Sequence, residues 1–127
     1  MGRTERQGSV VTRSRAAAYV PKRGEAVWLK FDPQAGHEQS GRRPAVVLSP
    51  EEYNRRTGLA IFCPVTTQVK GYPFEVLLPE SISISGAILA DQVRSLDWRA
   101  RKAKLIAALP SETMDEVLGK LETLLSR

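Results

Sequence analysis

The chain has 127 residues, 42% of them apolar and 26% charged, proportions that suit one folded domain with its own core and exclude a largely disordered chain. No run approaches the roughly 18 apolar residues of a membrane span, so a soluble protein with no membrane partner is expected, and the lone Cys63 fits a reducing cytoplasm. The formal net charge of +5 suggests an anionic partner, but only where the charge is clustered locally.

Residues 1–18 carry Arg3, Arg6, Arg13 and Arg15 against Glu5 and show no hydrophobic periodicity. They read as a disordered basic tail, leaving residues 19–127 as a single domain that is only mildly basic. Glu25 to Phe31 (EAVWLKF) has the aromatic and branched content of a half-buried strand. Asp32-Pro33 ends it, and the residues up to Arg43 form a polar loop containing His37, Glu38 and Gln39. Pro44 biases Arg43 toward extended geometry, so the chain enters the strand Ala45 to Ser49 already stretched, with Arg43 at its mouth.

Pro50 to Gly58 reads as a short helix: Ser49 is a cap, Pro50 opens the first turn, acids lie early, bases late, and a glycine follows. Leu59 to Val65 is a continuous apolar run, hence a buried strand, and its Cys63 is expected to be inert packing in a reducing compartment. It delivers Thr66, Thr67 and Gln68 to a polar edge. Lys70, Gly71, Tyr72 and Pro73 turn the chain into a strand over Phe74 to Leu78. Another strand follows over Gly86 to Asp91, with Asp91, Gln92, Arg94 and Ser95 as its polar exit. After Trp98 comes a basic stretch, Arg99 to Lys104, and a strand KLIAAL. Met114, Val117, Leu118, Leu121, Leu124 and Leu125 then recur at helical spacing, with Thr113 and Glu116 as a capping box.

Short strands, tight turns and few helices predict a mainly β fold, a curved antiparallel sheet or partly open barrel with a C-terminal amphipathic helix. Such a sheet gathers strand ends, so Gly36 to Arg43 and Thr66 to Tyr72 converge on one rim. One His, one isolated Cys and no spaced carboxylate cluster fall short of a metal site, and no Gly-x-Ser-x-Gly elbow supports a hydrolase triad. The set that remains suits a phosphodiester, whose growing charge Arg can bind with its planar fork. RNA carries its own nucleophile in the 2'-OH and requires no metal-activated water. Arg43 is the candidate phosphate contact and Thr66 a hydrogen-bond donor or ribose contact. Either Glu38 or His37 could act as base, and Tyr72 could stack on a base.

At these residues the chain resembles the MazF toxin family, the PemK-like endoribonucleases of bacterial toxin–antitoxin systems. The similarity runs from Tyr19 to Trp98 and Arg101 through YVPKRGEAVWLKFDP, GHEQSGRRPAVVLSP, YNRRTG, PVTTQVKGYPFEV and ILADQVRSLDWRAR. It implies an SH3-like barrel of the PemK and CcdB type, a homodimer, and cofactor-free, metal-independent cleavage of single-stranded RNA, at an ACA-type site in some members. The products would carry 2',3'-cyclic phosphate and 5'-hydroxyl ends. It implies Arg43 and Thr66 as catalytic residues with Glu38 as a further one. Gln39, Thr67, Gln68, Lys70, Tyr72, Asp91 and Gln92 would shape the RNA groove or the dimer seam. It also implies an antitoxin whose acidic segment competes with RNA. A second reading is a non-catalytic toxin of the same fold that poisons a protein such as DNA gyrase.

Overall fold

The computed structural model describes residues 18–30 and 41–127. The tail expected over residues 1–18, apart from Ala18, and the loop residues His37, Glu38 and Gln39 lie outside them.

The elements in chain order are β1 (Glu25–Lys30), β2 (Arg42–Val47), α1 (Glu51–Thr57), β3 (Leu59–Thr66), β4 (Glu75–Leu77), β5 (Ala87–Leu89), β6 (Arg94–Asp97), β7 (Lys104–Ala108) and α2 (Ser111–Leu125). All strand pairs are antiparallel, in the order β4-β5-β3-β2-β1-β7, with β6 also paired to β3. The expected mainly β fold with a terminal helix is present. Among the described residues no ladder joins β4 to β7, so the hydrogen-bonded path stays open-ended and does not close into a barrel.

Strand β3 organises the sheet because its neighbour changes along its length. On one side it pairs with β2. On the other, Leu59 to Phe62 pair with β6, whereas Val65 and Thr66 pair with β5. Pro64, which has no N–H to donate, lies at the change. The period of two sends alternate side chains to opposite faces, and both faces are buried. Ala26, Val46, Cys63 and Val65 join Val76, Ile88, Met114 and Val117 in a core under α2, with Leu118 and Leu121 packed on it. Val27, Leu29, Ala45, Val47, Ala60 and Phe62 face the other way, toward Trp98. Burying a side chain such as Phe62 contributes about 2–3 kcal/mol. Cys63 is fully buried, and burial, aided by the charge of Asp91, pushes its thiol up to about 12.

The helix α1 carries Glu51 and Glu52 in its first turn, Arg55 and Arg56 in its last, and Gly58 as a left-handed C-cap at φ 74°. The expected cap at Ser49 is not observed, because Pro50 occupies the N-cap and the Ser49 hydroxyl donates to Asn54 Oδ1 at 2.6 Å instead. Likewise α2 begins at Ser111 after Pro110 without a side-chain cap, so Thr113 and Glu116 fall inside the helix and form no capping box at its end. Leu124 and Leu125, expected on its apolar face, are exposed. Strand β6 occupies a segment that reads in the sequence as a polar exit: Arg94-Ser-Leu-Asp97 exposes most of its side chains and lacks the apolar alternation of a strand.

Asn54 is the buried polar node of the fold. Its Nδ2 donates to Pro21 O at 2.8 Å and to Ser49 O at 3.0 Å, while its own carbonyl accepts from Trp98 Nε1 at 2.9 Å. Ser49 Oγ accepts from Ile61 N at 2.8 Å. The N-terminal segment, α1, β3 and the turn after β6 are thereby joined at one point. Among the described residues no helix is long and apolar enough to cross a membrane.

Candidate functional site

Where β3 changes neighbour, a cleft of about 590 Å³ opens between the start of β2 and the start of β6. Its floor is the rim of the second core, formed by Leu29, Ala45, Phe62, Pro64 and Leu96. Polar residues line it from strand ends: Arg42 and Arg43 from β2, Thr66 to Gln68 from β3, Gln92 and Arg94 from the approach to β6 and its first residue. None of the described lining residues is a carboxylate. The cleft is therefore an apolar trough with a cationic and amide rim, suited to a polyanion whose bases lie on the floor.

Alternation explains how adjacent arginines divide their work. Arg43 lies opposite Leu29 and shares its face, whereas Arg42 lies opposite Lys30 on the other face, its guanidinium 5.6 Å from the Trp28 ring centre. Arg94 lies opposite Phe62, which aims it at the same face as Arg43. The Thr66 hydroxyl oxygen accepts the Gln68 N–H at 3.0 Å, which ties the side chain to the backbone just beyond the strand end.

Gly86 forms the seat of Thr66. At φ +125° it has a backbone that side-chain-bearing residues rarely adopt, and an added Cβ would stand 2.1 Å from Thr66 O and 3.2 Å from Thr67 Cα. Close approach of two backbones is what allows β5 to pair with the last residues of β3.

The cleft brings together Arg43, Thr66, Thr67, Gln68 and Gln92 of the sequence-derived set. Lys70, Tyr72 and Asp91 are exposed but are not among its lining residues. Tyr72, 60% exposed, has Lys70 Nζ at 5.9 Å from its ring centre, a cationic and aromatic pair on the loop beyond the cleft. Glu38 and Gln39 fall outside the described residues. Sequence reasoning missed Arg94 and Gly86. Arg94 reads in the sequence as part of a polar exit, since nothing local marks strand β6, and Gly86 reads only as the first residue of a strand.

Residues 22–125 match the family model for the PemK-like, MazF-like toxin of type II toxin–antitoxin systems, and the chain belongs to this family. It is 48% identical over 107 residues to the endoribonuclease toxin MazF of Escherichia coli K12, covering 84% of this chain and 96% of that protein. To endoribonuclease PemK of Escherichia coli it is 38% identical, over 83% of this chain and 82% of the relative. Among solved structures, MazF of Deinococcus radiodurans superposes with a TM-score of 0.77 at 58% identity, spanning 87% of this chain and all of that one. A MazE–MazF complex from the same organism superposes its matching chain at 0.77 and 52% identity, spanning 86% and 98%.

Proposed function

We propose that this chain is a toxin endoribonuclease that cleaves single-stranded RNA within the cleft, working as a homodimer and held in check by an antitoxin whose acidic segment occupies the same surface. The observation that carries this reading is the meeting of Arg43 and Thr66 at one end of a trough that has no described carboxylate. The named activity of the MazF and PemK relatives, and the MazE–MazF complex of a 52% identical relative, support it.

The chemistry follows from the substrate. The ribose 2'-oxygen attacks the adjacent phosphorus, its proton passing to a base. The bond from phosphorus to the 5'-oxygen breaks, and that oxygen takes up a proton, leaving a 2',3'-cyclic phosphate and a 5'-hydroxyl. Negative charge builds on the non-bridging oxygens, where a guanidinium at the cleft wall acts most strongly. Arg43 supplies it. Thr66, whose oxygen accepts from Gln68 N, has its O–H to donate to a phosphate or ribose oxygen. Arginine stays protonated, so the base is assigned to Glu38 or His37, which precede β2 in the sequence. The internal nucleophile makes a metal-bound hydroxide unnecessary, so the reaction is proposed to run without metal. Thr67, Gln68 and Gln92 line the bases' path, and Gln39, Lys70, Tyr72 and Asp91 contact RNA outside it or take part in the dimer seam. Residues 19–127 act as one domain, with residues 1–18 as a basic tail preceding it.

The test is cleavage of a long RNA in EDTA, with the new 5'-hydroxyl ends sequenced. Arg43→Ala and Thr66→Ala are expected to lower kcat by on the order of 10²- to 10³-fold at unchanged melting temperature. Full activity in both variants would refute the assignment. Intact RNA with arrested DNA supercoiling would favour a protein-poisoning toxin of the same fold.

A further inference from the structure

The segment from Thr67 to Pro73 has no regular structure and all of its residues are exposed. A surface segment of this kind is ordinarily mobile. Here its backbone is held by side chains outside it. The carboxylate of Glu75, at the start of β4, accepts Gly71 N–H at 2.8 Å and Lys70 N–H at 3.1 and 3.2 Å. Glu75 N donates to Tyr72 O at 3.1 Å, closing the turn on the same residue. From α2, Lys120 Nζ donates to Pro73 O at 2.5 Å and Glu75 O at 3.2 Å, with Glu116 Oε2 3.7 Å away.

A negative charge next to a surface that receives phosphates is electrostatically unfavourable, by more as the separation and dielectric fall. Glu75 is placed so that both oxygens are turned into the loop and meet N–H groups, where charge-assisted bonds are about twice as strong as neutral ones. A neutral side chain could pack at the start of β4 without that repulsion. An uncharged amide there could meet the same two N–H groups only with neutral bonds about half as strong, and an apolar side chain could not meet them at all. We infer that Glu75 is a positioning residue for substrate recognition: it fixes the path of Lys70 to Tyr72, and with Lys120 it ties the recognition loop to α2. Gln68, Lys70 and Tyr72 then meet RNA in one arrangement instead of many, which saves the ordering entropy at binding.

The experiment measures kcat, KM, the distribution of cleavage sites on a long RNA and the melting temperature for wild type, Glu75→Ala, Glu75→Gln and Lys120→Met. Glu75→Ala is expected to raise KM by about tenfold or more, with a smaller change in kcat and a broader set of sequences cut. Glu75→Gln keeps one oxygen able to accept both amides but loses the charge, and falls between, a partial rescue that a space-filling role would make complete. Lys120→Met shifts KM in the same direction by less, and adds little on top of Glu75→Ala because both act through one loop. The inference is overturned if folded Glu75→Ala protein keeps KM and its cleavage sites within about twofold of wild type, whatever happens to its melting temperature. If Glu75→Ala does not fold, Glu75→Gln decides on the same readouts. The inference rests on the ribonuclease reading, and the two fail differently. A wild-type protein that cuts no RNA sinks both, whereas an active wild type with an unchanged Glu75→Ala variant sinks only this one.

Discussion

Two polar networks hold backbone in this molecule, and their contrast separates what keeps the fold from what readies the site. Around Asn54 the network is buried: its amide, the Ser49 hydroxyl and the Trp98 indole are all matched by protein partners away from water. Around Glu75 the partners are N–H groups of an exposed loop. Removing a partner in the buried network leaves groups that water cannot reach, so the cost falls on stability. Removing one at the loop lets water take its place, so the fold survives and the cost falls on order. Position in the solvent gradient, more than the number of bonds, decides which property each network governs.

The largest effect that would break this contrast is at Asn54. Asn54→Ala strands Pro21 O, Ser49 O and the Ser49 hydroxyl, and is expected to cost about 3 kcal/mol or more, read as a lowered denaturant midpoint with little change in KM among the molecules that remain folded. A melting curve like the wild type's would mean the node is not structural. Next comes Gly86→Ala, which sharpens the other arm. Its Cβ meets backbone that cannot swing aside, so Thr66 moves, and kcat is expected to fall by up to about a hundredfold, with a loss of stability that is smaller than at Asn54. Unchanged kcat would show that the seat of Thr66 is not needed.

The smallest effect concerns pH. The Cys63 thiol is raised from its ordinary 9.0 to about 12 by burial and the nearby Asp91, and the Tyr19 hydroxyl is raised by burial and its hydrogen bond to Glu25. Above pH 9 the unfolded chain releases the thiol proton while the folded chain retains it. Stability is thus fully present below that pH and declines as pH rises toward 12. A melting temperature that is flat from neutral pH to about 9 and then falls, less steeply in Cys63→Ala, is the expected profile. An equally steep fall in Cys63→Ala would assign the alkaline loss to other groups.

Much of this was legible in the sequence because the relevant signals are local. Arg43 was found because Pro44 beside it fixes the strand mouth, and Thr66 because an apolar run ends on it. The helix α1 was legible from its charge order and Gly58. What escaped were features made by pairing. Ser49 reads as a cap until Asn54 and Ile61, five and twelve residues away, compete for its hydroxyl. Strand β6 carries no alternation of its own and is recruited by the exposed edge of β3. Gly86 and Glu75 gain their importance only from backbone atoms brought to them by the sheet. Strand number and turn density predict a curved antiparallel sheet or partly open barrel, in keeping with the open-ended path. The barrel itself is what the family resemblance implies, since neither signal fixes how the end strands of the path meet.

The change of neighbour along β3 also makes that strand a ruler. Phe62, which pairs with Arg94, and Thr66, which pairs with Ala87, are four residues apart on one continuous strand and on one face. At about 3.3 Å per residue, their separation along the cleft is set near 13 Å by backbone alone. Rotamers can shift the side chains at either end but cannot alter the gauge between them. Only an insertion or deletion could, and a single-residue one would turn Thr66 out of the cleft altogether.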